Sequence, residues 1–381
     1  KGKVINIEPG QEKLAAAVGY SVSPGDTIVL ADGTYEEPYS FNFDVEGLVV
    51  IAAKGAKPEI ILTDEGGNAN LKLDNSTTFD GITFSGSNIS KYLIITNGTD
   101  ASKFIFNNCE FKNYLNYAIS DPWTDNYDNG KHVDSILINN CLFHDGGAAI
   151  NLSKYGPEGK HTCDYFEMKN STIYNISNTG NAAILVSSNA ENTGVQNKVV
   201  LDHITMYNYA NANYGAIAIR KSSDLQITNS IIANPTSGLY AFYIYGGTIN
   251  NTLYYNATYD SDATYTACIT EDPLFVDAAN GNFMLKYASP AIGVGTDSSN
   301  LGDPRWGAEG PQVITLTTGD NSAVIAANIG KTLDVVIDRS FTANDGYYTL
   351  CVPFNMPASV IGKAYSLGTI TEHVAGEGIN I

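Results

Sequence analysis

The sequence predicts an all-β fold: a right-handed parallel β-helix with a short N-terminal capping helix and a small C-terminal antiparallel β domain. Two observations predict it. A phrase of the form apolar, polar, Asn, small, any residue, apolar recurs at Phe106–Phe111, Ile138–Phe143, Met168–Ile173, Ile227–Ile232 and Ile249–Tyr254. Weaker copies with another central residue stand at Phe79–Phe84 and Leu201–Met206. The central residues are 81, 108, 140, 170, 203, 229 and 251, so the steps are 27, 32, 30, 33, 26 and 22, a spacing that marks a repeat architecture. The second observation is the chemistry of the repeat. Short runs of Val, Ile, Phe, Tyr and Thr are split by Asn, Gly, Asp and Ser, which is strand and turn material rather than helix.

The elements follow in order. Residues 9–35 form a start module. Glu12 to Val18 is helix-like, Pro24-Gly25-Asp26 is a turn, Thr27 to Leu30 a strand, and Asp32-Gly33 a second turn. A short helix over the first coil would cover an otherwise exposed end of the stack, as terminal repeats require. Coils then run from about residue 27 to about residue 295. After each Asn phrase comes a second run: Tyr117–Ile119, Ala148–Leu152, Ala182–Val186, Gly215–Ile219 and Tyr240–Ile244. No single coil buries its apolar face, whereas stacked coils about 4.8 Å apart bury a continuous one. The recurrent Asn residues become a ladder, since an amide both donates and accepts and Asn tolerates left-handed turns. They are read as structural, and Cys109 and Cys141 as small buried thiols beside them. The segment from Asp272 to Gly293, with Leu301 to Gly307 after it, closes the helix.

After Pro311 the Asn phrase disappears. Val313–Leu316, Leu333–Ile337 and Tyr347–Val352 alternate like antiparallel strands. The domains are therefore 1–311, the β-helix, and 312–381, a small sandwich-like accessory unit. The chain opens at Lys1-Gly2-Lys3-Val4 without a signal peptide and ends on Ile379-Asn380-Ile381 without a stop signal. We read it as a mature or trimmed chain whose natural form continues.

Composition limits the partners. Forty acidic against 21 basic residues give a net charge of -19, which argues against nucleic acid or an anionic membrane, since both need a basic surface. No apolar run reaches membrane-spanning length. Five Cys show neither a disulfide framework nor zinc spacing. The 24 Tyr suit strand surfaces and sugar stacking. A monomer is expected.

Several stretches resemble known proteins. The helix followed by Pro-Gly-Asp-Thr-Ile-Val-Leu-Ala-Asp-Gly-Thr-Tyr (24–35) resembles the opening of chondroitinase-B-type and alginate-lyase β-helices. The Asn phrases resemble pectate-lyase-like β-helix proteins. Asp272 to Gly307 is similar to secreted β-helix proteins of glycan-degrading Gram-negative bacteria, and Tyr348 to Phe354 resembles their accessory surface modules. The resemblance implies a polysaccharide or glycan partner and a secreted or cell-surface location, on the outer-membrane or periplasmic side of a Gram-negative bacterium. It also implies a choice between two activities: a uronate polysaccharide lyase acting by β-elimination, or a non-catalytic glycan-binding, adhesive or stalk protein.

Lyases of this type use Arg or Lys as base, with Ca2+ or a cationic side chain neutralising the substrate carboxylate. Aligning the second runs puts Ser120, Asn151, Leu185, Ala218 and Tyr243 in one outward row, and Pro122, Ser153, Ser187, Arg220 and Tyr245 in the next. Strand alternation predicts that both rows face solvent. Arg220 is the sole Arg of the coils, and Lys221 follows it. Arg220 and Lys154 are the candidate catalytic pair. Lys221, Tyr155, Trp123, Asn151, Tyr243, Tyr245 and His161 are the candidate substrate contacts. Asp121, Asp125 and Asp128 carry hard oxygen ligands suited to Ca2+, although their loop lacks the helix-loop-helix calcium spacing and the coils lack a Glu-rich calcium site. No cofactor is certain on this reading. His203 occupies a ladder position and is read as structural, and His144 falls where a turn residue is expected. Paired Asp residues for glycoside hydrolysis are missing from the outward rows, and no serine-protease phrase occurs.

Overall fold

The computed structural model describes residues 2–63, 69–122, 131–153, 162–177, 182–187, 197–210, 214–220, 224–310, 313–317, 319–330, 333–338, 372–373 and 379–380. The chain divides into two compact units, 1–309 and 310–381.

The first unit is a stack of parallel coils, each contributing to three sheets. Sheet I runs from Val4–Ile7 through Thr27–Leu30, Leu48–Ala52 and Thr77–Asp80 to Thr264–Thr266, every pairing parallel. Sheet II includes Glu59–Leu62, Thr83–Ser85, Glu110–Lys112, Leu142–Gly146, Ile231–Ala233 and Leu253–Tyr255. Two long strands, Cys163–Ile176 and Lys198–Tyr209, pass through both sheets. Sheet III is nine-stranded and runs from Phe41–Phe43 to Ala257–Ser261.

The recurrent phrase makes the corner between sheets I and II. Asn108, Asn140, Asn170, His203, Asn229 and Asn251 all have positive φ, between 44° and 56°. One left-handed residue turns the chain sharply while the strands on either side keep their pairing, and Asn accepts that conformation best among residues with a side chain. The amides also bond between coils. Asn140 Nδ2 donates to Asn108 Oδ1 at 2.5 Å, Asn108 Nδ2 to Asp80 Oδ1 at 2.7 Å, and Asn170 Nδ2 to Asn139 Oδ1 at 3.0 Å. A second corner, at the far edge of sheet II, repeats the device five residues later. Asn113, Asp145, Asn175, Asn208 and Asn256 are left-handed there.

Inside the first corner, five coils place a small donor one residue after the left-handed position, while Ile204 follows His203. Cys109 and Cys141 thiols and Ser171, Ser230 and Thr252 hydroxyls donate to the carbonyl two residues back. Ser171 Oγ and Ser230 Oγ also accept the N–H of the preceding coil, from Cys141 and Ile204. Buried backbone polar groups are thereby satisfied where the ladder breaks. Burial pushes the Cys109 thiol up, so it stays protonated and inert. Above this row the interior is apolar. Phe84, Phe111 and Phe143 stack with centroids 5.0 and 4.6 Å apart. Each buried Phe contributes roughly 2 kcal/mol by the area it removes from water.

The helix forms at Lys13–Tyr20 and turns Leu14, Ala17 and Val18 into the core. Glu37, buried and from a later coil, caps it: Oε1 accepts the N–H of Leu14 at 2.8 Å.

Three expectations need correction. The coils begin at Val4–Ile7 rather than near 27, because this short alternating run pairs with Thr27–Leu30. The segment 272–309 does not close the stack. It lies along the outside of sheet II, where Leu285, Ala291 and Leu301 cover the outward Ile231, Ala233 and Leu253. In the second unit Val313–Thr317 and Asp334–Asp338 pair in parallel, not antiparallel, because a helical turn at Ser322–Ala326 returns the chain in the same direction. The expected strand Tyr347–Val352 lies outside the described residues.

Candidate functional site

The outer face of sheet III is where the sequence placed the site. The predicted register is present: Ser120 pairs with Asn151, Asn151 with Leu185, Leu185 with Ala218, Ala218 with Tyr243, and Ser187 with Arg220. The expectation that the first row faces solvent is wrong. Ser120, Asn151, Leu185 and Ala218 are buried, the last two completely. Leu185, Ala218 and Ala182 form an apolar cluster apart from the interior, and Tyr214 and Tyr243 pack against it. Side chains this small and apolar gain more from cover than from water.

The individual residues divide accordingly. Asn151 is buried and bonds Ser153 Oγ at 3.3 Å, which removes it as an open sugar contact. Tyr243 meets Tyr214 and Tyr245 edge-on, at 5.2 and 5.7 Å, and its hydroxyl accepts from Tyr245 at 3.2 Å. Tyr245 is 44% exposed. Asp121 is buried, and its N–H bonds Asn151 O at 3.1 Å. The backbone of Arg220 ends the strand Ile217–Arg220. Trp123, Asp125, Asp128, Lys154, Tyr155, His161 and Lys221 lie outside the described residues. Among the described residues, no group of three or more His, Cys, Asp or Glu could hold a metal ion.

The outer face of sheet II has two parts. The first is ionic. Lys112 pairs with Glu59 at 3.1 Å. His144 Nε2 meets Glu110 at 2.8 Å, its Nδ1 meets Asp145 at 2.7 Å, and Tyr174 stacks on the ring at 4.9 Å. Burial opposes the charge on His144, but the two carboxylates outweigh it and raise its pKa. The His144 hydrogen bond in turn holds Glu110 below its ordinary value. A ring with both nitrogens engaged is a structural clamp across two coils, with neither nitrogen left for catalysis. His132, between Asp100 at 3.1 Å and Asp164 at 3.0 Å, repeats the arrangement on sheet I's side.

The second part is covered by 272–309. Arg305 Nη2 donates to Asn140 Oδ1 at 2.9 Å, Trp306 Nε1 to Thr172 Oγ1 at 2.8 Å, and Thr172 Oγ1 to Asp303 Oδ2 at 2.7 Å. Burial raises the Asp303 pKa despite the Arg305 guanidinium beside it. Between this segment and the sheet lies an open cleft of about 410 Å³. That size is typical of small-molecule sites. Tyr207 and Tyr255 form its floor, with Ala233 in register between them. The tyrosines are two coils apart, about 10 Å, and the alanine leaves the notch. Asn234, Asn256, Asp272, Asp277 and Lys286 supply polar groups around it. Burial, and then the Asp272 charge, raise the Tyr207 pKa, so the phenol stays neutral. Sequence reading missed this site. Tyr207 and Tyr255 were legible as aligned positions after the Asn phrase, but nothing local shows that 272–286 returns to wall them.

Comparison with known proteins adds the following. A family model described as a domain of unknown function (DUF5123) matches residues 199–306. No curated protein matches. Among solved structures, the chain is similar to the family PL6 alginate lyase AlyGC, at 16% identity and a TM-score of 0.45, over 71% of this chain and 39% of that one. It is similar to pectate lyase Pel9A at 15% identity and a TM-score of 0.45, over 80% and 96%. A mannuronic acid specific family 6 polysaccharide lyase from human gut microbiota aligns at 14% identity and a TM-score of 0.31, over 70% and 59%. The chain therefore spans about two fifths of the length of AlyGC.

Proposed function

We propose that this chain is an exported, monomeric β-helix protein that binds a polysaccharide in the cleft between sheet II and the segment 272–286, acting from the cell surface of a Gram-negative bacterium. The observation that carries this reading is the cleft itself: two tyrosine rings two coils apart, Tyr207 packed edge-on against Phe275, a small residue between them, and amide, carboxylate and ammonium groups at the rim. Aromatic faces take the C–H surface of a sugar ring, and the rim groups take its hydroxyls. Two carboxylates against one ammonium make the cleft a poor host for a uronate, so a neutral glycan fits best. No described helix is long and apolar enough to cross a membrane.

A lyase acting on uronates is the second reading. Its support is the resemblance of residues 24–35 to the opening of alginate-lyase-type β-helices, with Arg220 and Lys154 as the candidate pair. The two readings separate by experiment. Titration calorimetry against neutral and uronate glycans should show binding of a neutral chain, weakened about tenfold by Tyr255→Ala, or about 1.4 kcal/mol. Release of unsaturated uronate products, abolished by Arg220→Ala, would instead establish the lyase.

A further inference from the structure

A third histidine differs from the two clamps. His203 Nδ1 meets Asp202 Oδ1 at 3.2 Å, but its Nε2 meets a hydroxyl, Ser299 Oγ, at 2.9 Å. Asp202 is anchored by Thr228 Oγ1 at 2.7 Å and Asn229 Nδ2 at 3.0 Å. Burial works against its charge, but these bonds and that of His203 hold its pKa down to about 2, so the carboxylate is ionised and fixed. Ser299 follows Ser298, whose φ is 66°, a strained backbone for a residue with a side chain. A Cβ on Gly295 would lie 2.5 Å from Ser299 Oγ, so only glycine there leaves the hydroxyl room. Ser299 and His203 line a cavity of about 110 Å³, with Phe283 and Leu285 as apolar wall. It is too small for a sugar ring and large enough for a short acyl group.

We propose that Ser299 is the nucleophile of an acyl-transfer site for esters of short acids, with His203 as its general base and Asp202 as the carboxylate that positions the ring. The geometry is that of an activated hydroxyl: nucleophile, base and orienter joined by two hydrogen bonds. Ser299 Oγ attacks the ester carbonyl carbon while its proton passes to His203 Nε2. The bond from that carbon to the alcohol oxygen breaks, and His203 returns the proton to the leaving alkoxide. Water then attacks the acyl carbon and gives a proton to His203; the bond from that carbon to Ser299 Oγ breaks, the acid leaves, and His203 returns the proton to Ser299 Oγ, restoring both residues. Asn300 lines the same cavity; its Oδ1 accepts the Gly293 N–H at 3.1 Å, which leaves its amide N–H groups as the candidate donors to the oxyanion.

The resting hydroxyl is shared with Asp297, which also accepts the Ser299 N–H at 3.0 Å. The Asp202 hydrogen bond raises the His203 pKa, with Asp297 and Asp303 adding their charges and Arg305 paired to Asp303. Turnover therefore rises with pH as His203 loses its proton, and the midpoint lies above that of a free imidazole.

The test uses the full chain, p-nitrophenyl acetate and a fluorophosphonate probe. The expected result is hydrolysis above buffer, label on the Ser299 peptide, and loss of at least about 100-fold in Ser299→Ala and His203→Asn. Asn suits the fold here because it holds the equivalent corner at Asn170 and Asn229. Ester turnover and calorimetric glycan binding are read separately on the same unsubstituted chain, so failure of the glycan reading and failure of this one are distinguishable. Unchanged turnover in Ser299→Ala, label on another residue, or no turnover and no label in the unsubstituted chain would overturn the proposal.

Discussion

The outer faces of sheets II and III come from the same coils and obey the same alternation, yet one holds a cleft and the other has its central outward row sealed. On sheet III the outward row from Ser120 to Ala218 is buried. On sheet II the outward row changes character along the stack, from Lys112 and His144 to Tyr174, Tyr207, Ala233 and Tyr255. Alternation decides which way a side chain points. Exposure depends on what returns to cover it, and that is set by distant segments.

The comparison can be broken first at the entrance to sheet III. A Cβ on Gly147 would sit 2.0 Å from the Asn116 carbonyl oxygen, so backbone must move. Gly147→Ala should cost about 3 kcal/mol or more in urea unfolding. A loss below about 1 kcal/mol would mean that the coils there are not packed as described.

The scaffold under both faces supplies the next effect. Burial lifts the pKa of Glu37, the helix cap, from 4.5 to about 7, against the pull of the Leu14 and Ala15 N–H groups. A carboxyl that is easier to protonate when folded stabilises fully below about pH 4.5, and that contribution is lost as pH rises through about 7. The size is about 3 kcal/mol by linkage. Melting temperatures across this range should fall in the native chain and fall less in Glu37→Gln. Parallel curves would show that Glu37 does not titrate in the fold.

Leu185 tests the sealed face directly. It points outward but is completely buried. Leu185→Ala should cost about 2 kcal/mol by chemical unfolding, whereas a solvent-facing leucine would cost less than about 0.5 kcal/mol.

Much of the fold was legible because the coil corner needs one left-handed residue, and Asn108, Asn140, Asn170, Asn229 and Asn251 announce it at readable spacing. The second corner went unread, although Asn113, Asp145, Asn175, Asn208 and Asn256 each follow the central residue of a phrase by five. Strand register on sheet III was also readable, from Asn151 to Tyr243. The site was not, for a physical reason. Tyr207 meets Phe275 and Phe283, and His203 meets Ser299, across 68 to 96 residues of chain. Such contacts depend on where 272–309 settles, and apolar side chains such as Leu285 and Leu301 decide that collectively rather than through a local phrase.

The most direct measurement is glycan affinity in two matched variants, one on each face. Tyr255→Ala removes half of the aromatic floor on sheet II, and Tyr245→Ala removes the exposed tyrosine at the edge of sheet III. The account predicts that Tyr255→Ala weakens binding of a neutral glycan about tenfold while Tyr245→Ala leaves it unchanged. The reverse pattern, with Tyr245→Ala abolishing binding and Tyr255→Ala neutral, would contradict it.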